Sequence, residues 1–440
     1  MKLPVIILLV YSFAALSLLG EANIIWMDKP AGDWQQECLP IGNGRMGCMI
    51  YGGIEKEHIQ FNEDTVWIGD EEDTGSYQAF GDLYLAIGGS PSARQRISNP
   101  SKHATSPSEA IAKTADGNKN TKWCMEHENR AAVWLMALDG TPEKPFQSYS
   151  FTSANDVPSR DPQKWTLEGS SDGKTWTMLD RKNIGGPFAK RHMTKRFSFK
   201  NDTCFTFYCF TFAPLDRSHF QVAEITLAHA ESAADPNASS SYRRELDIDK
   251  SLHRIKYAKD GINYTREYFA SHPADVQVFR LTADQKGAYS GAIWLKDAHN
   301  GTTTAEGNTL RFSGRLSGKY GKPEENYAIQ LQYEAQAVVI HEGGSIQATD
   351  GAIAFKDCDS LLVMLNGGTD YLNQREKGWK QGHPHERISE TLAKASKRSF
   401  DDLLQEHIED YQKLYNRVTI DLGTPSDTAL KVPTPERVNR

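Results

Sequence analysis

Apolar and polar residues alternate in short runs along most of the chain. HIQFNEDTVWIG and FGDLYLAIGG come first; IKYA, INYTREYF, VQVFRLTA, AIWLKD, YAIQLQYEA, AVVI and LLVML follow Tyr242, with Gly, Asn and Asp between them. A period of two puts every second side chain on one face, and turn residues bound each run, so these segments predict β-strands packed as a large sandwich. The period changes near Pro384. Ile388 and Leu392 begin a helical spacing, and Ser399 with Asp402 forms a capping pair at the start of a second helix. Phe400, Leu403, Leu404, His407, Ile408, Tyr411, Leu414 and Tyr415 fall on one stripe of that helix. VTIDLG is expected to add a last strand, and a polar tail with three prolines follows it.

Composition shifts twice. Residues 90–115 and 230–241 are rich in small and polar residues and read as linkers around an independent unit. At 440 residues the chain exceeds what one core usually serves. The expected division is a β-sandwich over 23–90 and 240–383, an insert over 91–230, a short helical linker over 384–423 and a tail over 424–440. The fold class is therefore mostly β.

Residues 1–22 have a basic Lys2, an apolar run over 5–19, and small Gly20 and Ala22 near a cleavage point. This is the pattern of a secretory signal peptide; a membrane span needs about 18 apolar residues or more. The mature chain is expected to begin near Asn23, secreted or periplasmic. A net charge of −7 gives no basic footprint for nucleic acid. Export permits disulfides, but Cys204 and Cys209 lie in one β-like run, TCFTFYCF, too far apart at about 3.3 Å per residue. Each large domain holds three of the six cysteines, so buried free thiols are expected. Nine tryptophans suit either sugar faces or β cores, and cores more often.

GNGRMG, residues 42–47, has the spacing G-x-G-x-x-G of dinucleotide-binding loops. That spacing works only between a strand and the N-terminus of a helix, where the pyrophosphate sits. Here Pro40 precedes it and the β-prone CMIYGGI follows, so no dinucleotide is expected.

Within the insert, DGNKNTKW, RDPQKWTLEGSSDGKTW and QVAEITLA occur in that order. Together, over about residues 92–228, they resemble the discoidin or factor 5/8 type C family, whose sugar-binding members are family 32 carbohydrate-binding modules. The resemblance implies a jelly-roll β-sandwich. It also implies a structural Ca²⁺ held by the backbone carbonyls of Lys113 and Ala223 with Asp116, Asn118, Thr121 and Glu224, a set of hard oxygens suited to calcium. The alternative for the Asp-Gly turn is a solvated loop. His127, Arg130, Arg160 and His219 are conceivable sugar contacts; none is assigned.

The outer segments, among them LPIGNGRMG, NEDTVW, LNGGTDY and HIEDYQKLYNRVTIDLG, resemble the N-terminal region of glycoside hydrolase family 95, chiefly α-L-fucosidases. The glycines of residues 42–47 then belong to a turn of its β-sandwich. Family members continue after the segment matching residues 433–437 into an (α/α)₆ barrel carrying the catalytic groups. Inverting hydrolysis needs an acid and a base on opposite faces of the sugar. The resemblance places both in the barrel, so no catalytic residue is expected here, and Glu63, Asp64 and Glu224 read as structural. Asn62, Glu63 and Asp64 would help form the surface meeting a barrel encoded downstream, and the helix stripe would stay partly exposed without it. The expected function is the non-catalytic N-terminal portion of a secreted α-L-fucosidase-like hydrolase. Its insert would bind fucosylated or galactose-containing glycans. The alternatives are a stand-alone secreted glycan-binding protein or a structural adhesion module.

Overall fold

A computed structural model describes residues 23–69, 75–87, 95–101, 106–115, 119–127, 130–138, 141–142, 145–213, 218–229, 241–299, 301–317, 330–420, 423 and 426–438. The region expected to be a signal peptide lies outside them, as do residues 230–240.

Two antiparallel sheets make the outer sandwich. The nine-stranded sheet runs in the order Ile24–Met27, Arg243–Asp247, Leu252–Lys259, Ile262–Ser271, Val276–Ala283, Ser360–Thr369, Gln330–Glu342, Thr309–Ser317 and Thr304–Glu306. The seven-stranded sheet runs Leu39–Gly42, Met46–Ile50, Lys56–Glu63, Gly81–Ile87, Tyr289–Asp297, Ala352–Cys358 and Ser345–Thr349. Alternate residues of both, including Ile59, Phe61, Leu83, Leu85, Ile293, Phe279, Leu281, Val339 and Val363, form one core between them. The chain leaves this sandwich after Gly81–Ile87 and re-enters at Arg243–Asp247, which pairs with the first strand, Ile24 opposite Asp247.

The other face of the nine-stranded sheet is covered by helices α1, His385–Ala395, and α2, Phe400–Tyr415. Ile388, Leu392, Phe400 and Leu403 pack there on Phe269, Val276, Val278 and Met364. Those strands are buried on both sides, which is why LLVML reads as an unbroken apolar run. The Ser399 hydroxyl caps α2 by accepting from the Asp402 amide at 3.1 Å. The stripe on α2 is only partly used: Phe400, Leu403 and His407 are buried, while Leu414 is 61% exposed.

Two expectations fail. Residues 418–420 of VTIDLG form no strand, and Val418 and Ile420 stand exposed with no ladder to join; residues 421–422 lie outside the described part. The tail instead folds back as α3, Asp427–Leu430, and α4, Thr434–Val438. Trp26 donates through its amide to Thr434 Oγ1 at 3.0 Å and through Nε1 to the Leu430 carbonyl at 3.3 Å. Residues 95–98 and 111–115 are likewise no linker. Gln95–Ser98 pairs with Ala132–Leu138, and Ile97 and Ile111 pack on the insert's core.

That insert is a second sandwich. A five-stranded sheet, Thr177–Asn183, Lys164–Ser170, Phe207–Phe212, Ala132–Leu138 and Gln95–Ser98, is accompanied by a three-stranded one, Thr194–Ser198, Phe146–Thr152 and Glu224–His229, and by the pair Trp123–Glu126 with His219–Val222. Trp123, Trp134 and Trp165 are core residues with Tyr149, Phe151 and Phe210. All six cysteines are free thiols; Cys38, Cys48, Cys124 and Cys358 are buried, and Cys204 and Cys209 half-buried. Among the described residues no helix is long and apolar enough to cross a membrane.

Candidate functional site

Three motifs that stand far apart in the chain meet at one edge of the outer sandwich. GNGRMG is a hairpin turn: Asn43 Oδ1 accepts from the amides of Arg45 and Met46 at 3.1 and 2.8 Å, and Gly44 takes a left-handed φ of 93°. The turn aims Arg45 across the sheet edge. Its Nε and Nη2 donate to Asp275 Oδ1 at 3.0 and 2.8 Å, and Nη2 also to Asn366 Oδ1 at 2.8 Å. Nη1 donates to the Gly367 carbonyl at 2.6 Å and to Glu63 Oε1 at 3.3 Å. NEDT thus contributes Glu63, and LNGGTD contributes Asn366, Gly367 and Thr369.

Glu63 is buried, and its other oxygen accepts from the Thr65 amide and hydroxyl at 2.8 and 2.6 Å. Burial raises its pKa from the ordinary value, against the Thr65 bonds and Arg45, which favour the anion. Thr65 Oγ1 meets Thr369 Oγ1 at 2.5 Å, and from α1 Arg387 donates to the Thr369 carbonyl at 3.0 Å. Every carboxylate oxygen of Glu63 is therefore committed to the protein. The edge is a rigid polar brace, with Asp275 43% and Arg45 28% exposed along it. Asn62 Oδ1 accepts from the Glu63 amide at 3.0 Å and the Asp64 amide donates to the Arg45 carbonyl at 2.9 Å, so both stand beside the brace. Sequence reading missed Asp275 and Arg387, which sit outside the motif strings on a turn and a helix.

The residues named for calcium are partly brought together. Lys113 lies in the 3-10 turn Ile111–Ala115, which packs against strand Glu224–His229. Ala223 is buried and donates its amide to the Thr152 carbonyl at 2.9 Å, fixing the backbone just before Glu224. Trp134 Nε1 ties the turn down through Thr114 Oγ1 at 2.8 Å. Thr121 is half-buried on the following loop, while Asp116 and Asn118 lie outside the described residues. Among the described residues no group of three or more His, Cys, Asp or Glu side chains is placed to hold a metal. The described members of the set offer two carbonyls, a hydroxyl and one carboxylate, all hard oxygens that fit calcium better than zinc.

His127, Arg130, Arg160 and His219 gather at one end of the insert. Trp123–Glu126 pairs with His219–Val222, His219 opposite Glu126, and the 3-10 turn Pro158–Arg160 packs on His219–Val222. The His127 amide donates to the Ser218 carbonyl at 3.1 Å and the Arg130 amide to the His127 carbonyl at 2.7 Å. Arg160 Nε is buried with no hydrogen-bond partner. A buried donor of this kind is satisfied by water or a ligand hydroxyl.

Comparison with known proteins agrees with both halves of this architecture. Residues 25–124 and 201–374 match the model for the N-terminal domain of glycosyl hydrolase family 65, and residues 97–205 match the F5/8 type C domain. The chain is 20% identical over 413 residues to alpha-L-fucosidase 2 of Arabidopsis thaliana, covering 90% of this chain and 36% of that one. It is 21% identical over 424 residues to a probable alpha-fucosidase A of Aspergillus oryzae, covering 94% and 43%. The chain spans less than half the length of these relatives. Among solved structures, the family 32 module CpGH89CBM32-5 of Clostridium perfringens, in complex with GalNAc-β-1,3-galactose, is 19% identical with a TM-score of 0.27, covering 32% of this chain and 99% of its own. The family 32 module of C. perfringens NanJ, in complex with galactose, is 14% identical with the same TM-score, covering 32% and 98%. The chain belongs to the glycosyl hydrolase family 65 N-terminal domain family, on the branch related to α-L-fucosidases, and carries an F5/8 type C domain inserted in that domain.

Proposed function

We propose that the chain acts as the non-catalytic N-terminal portion of a secreted or periplasmic α-L-fucosidase-like hydrolase, removing terminal α-L-fucosyl groups with inversion, and that its insert holds the glycan. The observation that carries this is the convergence of GNGRMG, NEDT and LNGGTD on one braced edge. That edge commits its buried acid to the protein and presents Arg45 and Asp275 outward. Such an edge suits a partner domain and does not suit proton transfer, where an acid must be free to reach the leaving oxygen. The acid and base of the reaction then come from a catalytic domain lying against it. The purified chain is expected to release no fucose from a 2′-fucosylated oligosaccharide, and to support release when joined to the remaining segment of a related fucosidase. Fucose release by the chain alone, above a heat-killed control, overturns the reading. Failure of every joined form, with glycan binding intact, favours a stand-alone glycan-binding protein.

Sugar recognition belongs in this reading to the end of the insert with His127, Arg130, Arg160 and His219, where donors can meet the hydroxyls of a galactose- or fucose-containing glycan. Calcium is held by Asp116, Asn118, Thr121 and Glu224 with the Lys113 and Ala223 carbonyls, and stabilises the insert. An ion that binds only the folded state raises its stability by RT ln(1 + [L]/Kd), roughly 2.7 kcal/mol at a hundredfold excess over Kd. Chelation is expected to lower the melting transition of the insert within the full chain, and Asp116→Ala to remove the difference. Equal transitions with and without chelator exclude the ion.

A further inference from the structure

The interior of the outer sandwich holds more positive charge than its own carboxylate answers. Arg266 and Glu57 have fully buried side chains and meet at 3.1 Å. Glu57 is fully engaged: Oε2 accepts from Arg266 and the Tyr268 hydroxyl, and Oε1 from the amides of Gly52 and His58. A second guanidinium, Arg244, lies beside them with 1% exposure. Gly52, whose amide binds Glu57, is so close that a Cβ there would stand 2.6 Å from Arg244 Cδ and 2.5 Å from the Tyr242 hydroxyl. Arg244 Nε reaches the Lys29 carbonyl at 3.4 Å, but its Nη1 is buried with no hydrogen-bond partner. On the neighbouring strand His253 is wholly buried, and neither ring nitrogen has a partner. Register puts Leu246 opposite His253 and Arg244 opposite Ile255, so both polar side chains project between the sheets, the imidazole lying on the Tyr268 ring at 5.7 Å.

A buried guanidinium without counter-charge is expensive, and unbonded buried donors add to the cost. Among the described residues, the neighbouring thiol and carboxylates do not meet it. Burial pushes the Cys38 thiol, close to Arg244, up to about 12, so it stays neutral. Glu37 is turned to Lys29 and to the amides of Gly32 and Asp33, and Asp33 to the amides of Gln35 and Gln36 and to Asn120. We propose that a small monovalent anion of the halide class, with chloride as its ordinary occupant, lies between the sheets and accepts from Arg244 Nη1 and the His253 ring. A halide accepts from several donors without directional demand and supplies the single negative charge that is lacking. A water molecule would satisfy the nitrogens and leave the charge.

The test melts the full chain in sodium chloride and in sodium gluconate at equal ionic strength, and looks for anomalous scattering in crystals grown with bromide. The melting temperature is expected to rise saturably with chloride and not with gluconate. A bromide peak is expected within hydrogen-bonding reach of Arg244 Nη1. His253→Phe, which keeps a ring over Tyr268, is expected to raise the half-saturating chloride concentration about tenfold or more, the worth of one good bond to an ion. Coincident melting curves in the two salts, or no bromide peak at Arg244, overturn the proposal. An unchanged half-saturation in His253→Phe removes His253 from the site and overturns it in the form stated.

Discussion

Glu57→Ala is expected to destabilise the outer sandwich by about 3–5 kcal/mol, the usual cost of breaking a buried pair by removing one partner. The reason is specific to this interior: Arg266 would lose its carboxylate partner, and the amides of Gly52 and His58 would lose an acceptor. Urea unfolding of the full chain, followed through the sandwich's transition, measures it. The double variant Glu57→Leu with Arg266→Met replaces the pair by apolar groups of similar volume and is expected to recover much of the loss, since such replacements are often neutral or better. A loss below about 1 kcal/mol in Glu57→Ala would mean that the pair does not hold the sheets together.

Acid is expected to weaken the same domain through its buried histidines. Burial, helped by the Arg244 charge, holds the His253 pKa well below the ordinary value of 6.5. Burial lowers His407 too, partly offset by its bonds to the Lys250 and Ser251 carbonyls. An unfolded histidine takes up a proton near pH 6.5 while these folded ones do not, so below that pH the unfolded state binds more protons and stability falls. The slope cannot exceed about 1.4 kcal/mol per pH unit for each such group. His407 adds less, because its carbonyl partners favour the charged ring. Glu63, raised by burial, works in the opposite sense above its ordinary value and offsets part of the loss. In chloride-free buffer, unfolding free energies at pH 7 and pH 5 should differ accordingly, and His253→Phe should flatten the difference. A slope unchanged by that substitution would assign the acid sensitivity elsewhere.

Much of this fold is legible in the sequence, because alternation reports a face directly. INYTREYF becomes Ile262–Ser271 and VQVFRLTA becomes Val276–Ala283. YAIQLQYEA and AVVI merge into one long strand, Gln330–Glu342, since the Gln between them is no turn former. VTIDLG misleads because a strand pattern is only half of a ladder and needs an edge to pair with. The sites are harder to read. Arg45 stands in an obvious motif, but its partners Asp275 and Asn366 come from 230 and 321 positions away. The phase of INYTREYF already points Arg266 inward between Tyr264 and Tyr268, but Glu57, its partner, is 209 positions distant. Charge pairing over such separations has no local signature.

The pairing of the first strand with the one that follows the insert also bears on how the chain reaches its native state. Asn23 and Asp249 bond across 226 positions, so the edge of the nine-stranded sheet closes only after the whole insert has emerged. An unfolded loop of that length would make closure entropically costly and slow. Once the insert has collapsed into its own core, it acts as a compact bridge between Ile87 and Arg243 and the effective loop becomes short. Lesions in its core around Trp134 and Trp165 are then expected to slow assembly of the outer sandwich as well as of the insert.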